Sequence, residues 1–171
     1  MAQPLDIVRF EYSSTVGDAA QPENVLIEER DWELVDEVPP ADAYDLLRPH
    51  LAPGPSLLGG TQKGVDDQLA GEGMDASLTL VEPDSIAFRS QDNPFRSGRQ
   101  ARAVFEIAGQ GYDLSITDTI VAPVVWDQPD GSYSAAELGF GEQARTVLTV
   151  SLAEPFKGTR WKLAAAVLFL P

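Results

Sequence analysis

The residues best suited to binding chemistry lie in one short stretch, 88–102, which reads FRSQDNPFRSGRQAR. Four arginines there accompany a single aspartate, so the stretch carries +3 in a chain whose net charge is -15. Arginine forks pair with phosphate or carboxylate, and Phe88 and Phe95 offer rings on which bases can stack. The predicted nucleic-acid-binding residues are Arg89, Phe95, Arg96, Arg99 and Arg102. The alternative is that these arginines pair with the protein's own acids.

Recognisable catalytic and metal-binding motifs are absent from the sequence. His50 is the only histidine and there is no cysteine, so neither a thiolate zinc site nor a nucleophilic triad can be identified. The close carboxylate pairs at 66–67 and 127–130 are best explained as solvated turns. We expect no catalytic residue, no metal site and no cofactor. The carboxylates that an enzyme would have to assemble around a metal ion are Asp66, Asp67, Asp113 and Asp118.

Negative charge is concentrated near the start of the chain. Residues 1–50 contain twelve acids and three arginines, which gives -9. This N-terminal segment should repel nucleic acid, because non-specific binding of a polyanion depends on basic groups. A high net charge is sufficiently explained by solubility, and docking of a basic partner protein is the alternative function.

The sequence contains no segment that predicts secretion or membrane insertion. The N-terminus MAQPLDIVRFEY lacks the basic start and long apolar core of a secretory signal. The longest apolar run, 163–170, is far shorter than the roughly 20 residues that span a bilayer. We expect a cytoplasmic protein without a membrane partner.

Strand patterns dominate the chain. Segments 5–10 and 25–27 have the apolar positions of half-buried strands, and Pro22 sets the angle at which the second begins. Two strands hinged at Pro83 and Asp84 are predicted in SLTLVEPDSIAFRS. Residues 101–118 show the clearest alternation and predict a hairpin that turns at 108–111.

The remaining patterns complete a mainly β prediction. A second hairpin is expected over 145–169; its last arm, 161–169, is compatible with a buried helix, but the partner run favours a strand. One short helix is predicted within VPPADAYDLLRPHL, capped by Asp42 and ended by Pro49. We therefore predict small antiparallel barrels with one short helix. The expected modules are 1–75, which includes a long irregular connection, and 76–171, with one compact unit as the alternative.

Several segments together resemble a known family. In chain order they are QPENVLI followed by a tryptophan, SLTLVEP, ARAVFEIAGQGYDLSITD and LTVSLAEPFKGTRWKLAAAVL. This ordered set resembles the bacterial dual OB-domain proteins, described as two linked OB-type barrels, and the likeness covers most of the chain. Family members begin with an additional basic, tryptophan-containing strand region ahead of the segment matching PLDIVRFEY. The resemblance therefore leaves open whether the first barrel is complete.

The resemblance implies a function in binding without implying a reaction. It predicts an OB-like protein in a bacterial nucleic-acid modification or defence context, with single-stranded nucleic acid as the first expected partner. A basic protein is the second. The turn QPENVL is predicted to belong to the structural framework of the barrel. The alternative is that a groove is lined by Glu23 and Asn24.

Overall fold

The structure, a computed structural model, describes residues 5–27, 32–94, 97–141 and 145–171. The protein is mainly β, as the sequence predicts. The described strands are β1 (Asp6–Arg9), β2 (Tyr12–Thr15), β3 (Val25–Ile27), β4 (Glu33–Glu37), β5 (Gly64–Asp66), β6 (Leu78–Val81), β7 (Ser85–Asp92), β8 (Arg99–Ile107), β9 (Gln110–Ile116), β10 (Gly131–Tyr133), β11 (Arg145–Leu152) and β12 (Thr159–Leu170). The helices are α1 (Pro40–Leu47), α2 (Asp67–Gly71) and α3 (Val121–Trp126), and a 3-10 turn covers Arg48–His50.

One large sheet holds most of the strands. Its order is β10-β7-β8-β9-β12-β11-β6, and β5 pairs with the start of β12. Neighbouring strands are antiparallel except β9 and β12, which run parallel with Ser115 beside Leu163. The predicted hairpin over 101–118 is confirmed as β8 and β9, with Ala108 and Gly109 at positive φ in its turn. The arm at 161–169 is a strand, not a helix.

Strands β6 and β7 are two arms of one bent segment. Only three residues separate them, and β6 pairs with β11 while β7 pairs with β8. Pro83 has no N–H to donate to a ladder and restricts the residue before it, which favours the bend. In the described residues no ladder closes the sheet into a ring, so the predicted closed barrels are not seen. Strands β6 and β7 are connected only by the three residues between them and do not pair with each other by ladder hydrogen bonds.

Alternation along the strands builds the core of this sheet. Phe88, Phe105, Leu114 and Val150 are all buried, and the rings of Phe105 and Tyr112 stack with centroids 5.2 Å apart. Burying a side chain of this kind stabilises the fold by about 1.5–3 kcal/mol. The core therefore determines which side chains of β7, β8 and β9 must point outward.

The long connection after α1 packs against the large sheet. Leu57 is buried in the core, and the Tyr112 hydroxyl donates a hydrogen bond to the Pro55 carbonyl. The Ala52 N–H donates to the Leu80 carbonyl at 2.8 Å. Residues 52–66 are thus held on the C-terminal sheet, and the predicted module boundary after residue 75 stays a prediction.

The N-terminal strands form two separate ladders, in which β1 pairs with β4 and β2 pairs with β3. The turn before β3 is anchored by Glu23, whose carboxylate accepts hydrogen bonds from the Ser77 N–H at 3.0 Å and its hydroxyl at 2.6 Å. This turn belongs to the framework. Helix α1 connects the ladders to the large sheet, because Ala43 packs against Val147 and Leu170.

The helices require two corrections. The predicted helix is present as α1, but Pro39 is its N-cap and Asp42 lies in its first turn, so the predicted cap is wrong. Proline suits the first helical position, and Pro40 begins the helix earlier than expected. The helices α2 and α3 were not predicted. No helix in the described part of the chain is long and apolar enough to cross a membrane.

Candidate nucleic-acid interface

The outward face of β7, β8 and β9 brings two of the predicted arginines together. Arg89 on β7 lies directly opposite Arg102 on β8, and Arg102 lies opposite Ser115 on β9. Since successive residues of a strand point to opposite faces, the buried neighbours Phe88 and Ala103 require both arginines to point outward. This face is the candidate site.

Three cations converge on one carboxylate of this face. The Asp113 carboxylate lies 2.7 Å from Arg102 Nε, 3.4 Å from Lys63 Nζ and 3.7 Å from Arg89 Nη1. Partial burial opposes ionisation of Asp113, but the hydrogen bond and charge of Arg102, aided by Lys63 and Arg89, lower its pKa below the usual value. The carboxylate therefore stays ionised at neutral pH and neutralises one of three positive charges.

Exposure divides the three cations into one fixed and two accessible groups. The Arg102 side chain is 15% exposed, and it also donates to the Ser115 hydroxyl at 2.9 Å. The side chains of Arg89 and Lys63 are 39% and 58% exposed. Arg102 is thus held in place by its neighbours, whereas Arg89 and Lys63 present their charge to solvent.

Arg99 lies away from this cluster. It is three residues before Arg102, so alternation directs it to the opposite side of β8. There its guanidinium contacts Asp130 at 2.7 Å and donates to the Ser90 hydroxyl at 2.7 Å and the Gln128 carbonyl at 2.9 Å. The structure therefore separates Arg99 from Arg89 and Arg102, and these contacts are those of an arginine that joins β7 to the residues after α3.

The aromatic part of the predicted site has one correction. Phe88 is fully buried and packs edge-on against Phe169 with ring centroids 5.8 Å apart, so it is part of the core and cannot stack on a base. Phe95 and Arg96 lie outside the described residues, and their assignment to the site stays a prediction.

Trp161 is an exposed ring on the candidate face that the sequence analysis missed. Leu163 of β12 lies beside Ser115 of β9, and Trp161, two residues earlier, shares the face of Leu163. Trp161 is exposed, and it lies opposite Gly64, next to Lys63, in the β5 and β12 ladder. A flat, exposed ring near the accessible Lys63 is suited to stacking on a base.

The sequence gives a misleading signal at this position. A tryptophan between two charged residues ordinarily points inward and the charged residues outward, but in TRWKL Trp161 is exposed and both neighbours are buried. Arg160 is buried against Asp67 at 2.7 Å, and Lys162 is buried with its Nζ donating to the Gly60 carbonyl at 2.6 Å. Burial lowers the pKa of Lys162 to about 8. The acceptors come from residues about 90 to 100 positions away, which local pattern cannot reveal.

Loops lie at both ends of the candidate face. Residues 93–94, which follow β7, and 97–98, which precede β8, lie at one end. Because β9 and β12 run parallel, the β11–β12 loop, 153–158, lies at the other. The second loop carries an exposed Phe156, with Lys157 Nζ 5.3 Å from its ring centre. Gly158 adopts positive φ in this turn. An exposed ring and a cation are thus presented at the end of the face opposite the start of β8.

The carboxylates considered for chemistry have structural partners. Asp66 caps α2 by accepting from the N–H groups of Gln68 and Leu69. One oxygen of Asp118 accepts from the N–H groups at the start of α3, and the other accepts from the Val167 N–H at 3.0 Å. No group of three potential metal ligands occurs among the residues that the structure describes.

Residues 1–167 match the family model described as the dual OB-containing domain. Curated proteins and solved structures contain no significant match.

Proposed function

Because the chain belongs to the dual OB-containing domain family, we propose that it binds single-stranded nucleic acid on the outward face of β7, β8 and β9. The observation that carries this proposal is the cluster of Arg89, Arg102 and Lys63 around the single carboxylate of Asp113. In a chain of net charge -15, three cations on one carboxylate form a local site for a phosphate backbone.

The order of the strands supports an OB-type arrangement in the C-terminal half. With the bent segment of β6 and β7 as the first strand, β8, β9, β11 and β12 are the second to fifth, and the order is 1-2-3-5-4-1. OB-folds bind oligonucleotides on the face of strands two and three and with the loops after strands one and four. Those positions correspond to the candidate face and to loops 93–98 and 153–158.

Each accessible group has a distinct role in the proposal. Arg89 and Lys63 contact phosphates, while Trp161 and Phe156 stack on bases. Arg102 is a positioning residue that holds Asp113 and keeps the face in register. The protein acts by binding rather than by catalysis, in the bacterial cytoplasm and in a nucleic-acid modification or defence context.

The direct test is fluorescence anisotropy with labelled single strands of DNA and RNA about 12 nucleotides long. We expect binding at about 50 mM salt that weakens strongly at about 200 mM, because phosphate contacts release counterions. Arg89→Ala should weaken binding by about 3–10-fold and reduce the salt dependence. Absence of binding to either strand at low salt would refute the proposal.

A variant with the opposite expected sign makes the test sharper. Asp113→Asn removes the one carboxylate among the three cations, so it should strengthen binding by about threefold while lowering stability. The matched control is Arg9→Ala, since Arg9 is an exposed arginine on β1 that pairs with Glu33 at 2.9 Å. Equal losses for Arg9→Ala and Arg89→Ala would place the binding elsewhere.

A further inference from the structure

The N-terminal ladders leave apolar side chains exposed on both faces of a sheet. Leu34 and Val35 are consecutive residues of β4, so they point to opposite faces, yet their exposures are 53% and 45%. Leu26 and Ile27 of β3 are also consecutive and both exposed. Among the described residues, neither face of β4 is covered in the way that the large sheet covers its own core.

Several large apolar side chains of the N-terminal ladders are exposed, and two of them are in contact. Phe10 and Trp32 are both exposed, and their rings lie together with centroids 5.9 Å apart. The other large exposed apolar side chains of this region are Ile7, Tyr12 and Val16. Exposed apolar side chains that lie together mark interaction sites, and two-stranded ladders are marginally stable without further strands or a covering layer.

Charge determines what can cover these exposed side chains. The described residues between 5 and 47 contain nine acids and a single base, Arg9. Among them, Glu33, Asp36 and Glu37 lie on β4 itself. A second copy of this chain would bring the same acids against them, and nucleic acid and anionic lipid surfaces are repelled for the same reason.

We propose that the N-terminal ladders are a docking surface for a basic, apolar, extended segment of a partner protein, which adds as a strand to the open edge of β4 or β1. Each of these strands has a ladder on one side only, in the residues described. An added strand supplies hydrogen bonds to the open edge. Within β4, Leu34 and Asp36 share one face and Val35 and Glu37 share the other. The added strand should therefore present an apolar and a basic side chain on each face.

The inference is tested with the full chain and a synthetic probe of defined sequence. The probe is a fluorescent peptide of about ten residues, a length that spans a strand. It repeats two valines followed by two lysines, so that each face of the extended peptide carries both residue types. We expect saturable binding in anisotropy titrations, with new amide protection from hydrogen exchange confined to β1 to β4. A lysine–serine peptide, in which serine replaces each valine of this lysine–valine peptide, should bind at least about tenfold more weakly, because it lacks the apolar side chains.

Matched charge reversals separate this surface from the general acidity of the chain. Asp36→Lys with Glu37→Lys should weaken the lysine–valine peptide by at least about fivefold. Glu72→Lys with Asp127→Lys makes the same change of charge at exposed positions outside the ladders and should alter affinity less than about twofold. Circular dichroism of each variant confirms that its strands remain folded.

Three outcomes would overturn the inference. One is equal binding of the lysine–serine and lysine–valine peptides, since the surface would then be merely anionic. Another is an equal effect of the two double reversals. The third is concentration-dependent dimerisation of the free chain that protects β1 to β4, which would assign the ladders to a second copy. Because no step uses the candidate nucleic-acid face, failure here leaves the proposed function untouched.

Discussion

The C-terminal sheet and the N-terminal ladders have similar strand patterns in their sequences, but apolar side chains are buried in the first and exposed in the second. Leu114 and Val150 of the large sheet are buried, whereas Leu34 and Val35 of β4 are exposed. The difference lies in the neighbours. The large sheet bends at Pro83 and folds over its own core, while each N-terminal ladder contains only two strands. Alternation therefore specifies a strand, and only further strands or a covering layer specify a core.

The largest expected effect comes from truncating a core side chain in one region and an exposed one in the other. Phe88→Ala should lower the free energy of unfolding by about 3–5 kcal/mol, because it leaves a cavity in a fully packed core. Leu34→Ala should cost less than about 1 kcal/mol, since much of its surface is already in water. Urea denaturation of both variants measures the difference. Similar losses would mean that the ladders are packed in solution.

Removal of an ion pair should also lower the free energy of unfolding more in the C-terminal sheet than in the N-terminal ladders. Arg102→Ala removes a largely buried partner of Asp113 and two further hydrogen bonds, so we expect a loss of about 2 kcal/mol in the free energy of unfolding. Arg9→Ala removes an exposed pair with Glu33 and should change it by less than about 0.5 kcal/mol. Repeating both measurements at high salt sharpens the contrast, because only the Arg9 pair is strongly screened.

The buried Lys162 of the C-terminal sheet should make a smaller contribution, to the pH dependence of the free energy of unfolding. The folded pKa of Lys162 is about 8, below its ordinary value of 10.5, so between these values the unfolded chain binds more protons. The free energy of unfolding should therefore rise with pH in this window, by about 1 kcal/mol between about pH 7.5 and 9.

Lys162→Met should remove this rise. The measurement is the difference between the pH profiles of wild type and variant, in which other titrating groups cancel. Parallel profiles would show that Lys162 is hydrated in the folded protein. The control Lys157→Met, a substitution at an exposed position, should retain the rise that is due to Lys162.

The parts of the fold that were predictable are those specified by neighbours in sequence. Residues 101–118 alternate cleanly and include a glycine where the turn needs positive φ, so β8 and β9 were predicted. The hinge at Pro83 was predictable because proline acts locally. By contrast, α3 contains Pro123 and several β-branched residues, which disfavour a helix, and its start is stabilised by Asp118 and by packing against β7 and β8.

The candidate site was predictable in composition and only partly in geometry. The arginine stretch was evident from charge, but alternation on β8 places Arg99 and Arg102 on opposite faces. The site also contains Lys63 and Trp161, because β5 pairs with β12. This pairing joins segments that are distant in sequence, so local pattern does not predict it. Exposure of the N-terminal ladders was equally unpredictable, since their pattern is that of ordinary half-buried strands.

The pairing of β5 with β12 also has a consequence for how the chain is made. β5 ends at Asp66, yet in the described residues its ladder partner begins at Thr159, near the end of the sequence. During synthesis from the N-terminus, β5 and the buried Leu57 must wait for almost the entire C-terminal half to leave the ribosome. Such distant pairing slows folding, typically into the range of about milliseconds to seconds. Until β12 has been synthesised, β5 therefore lacks its ladder partner.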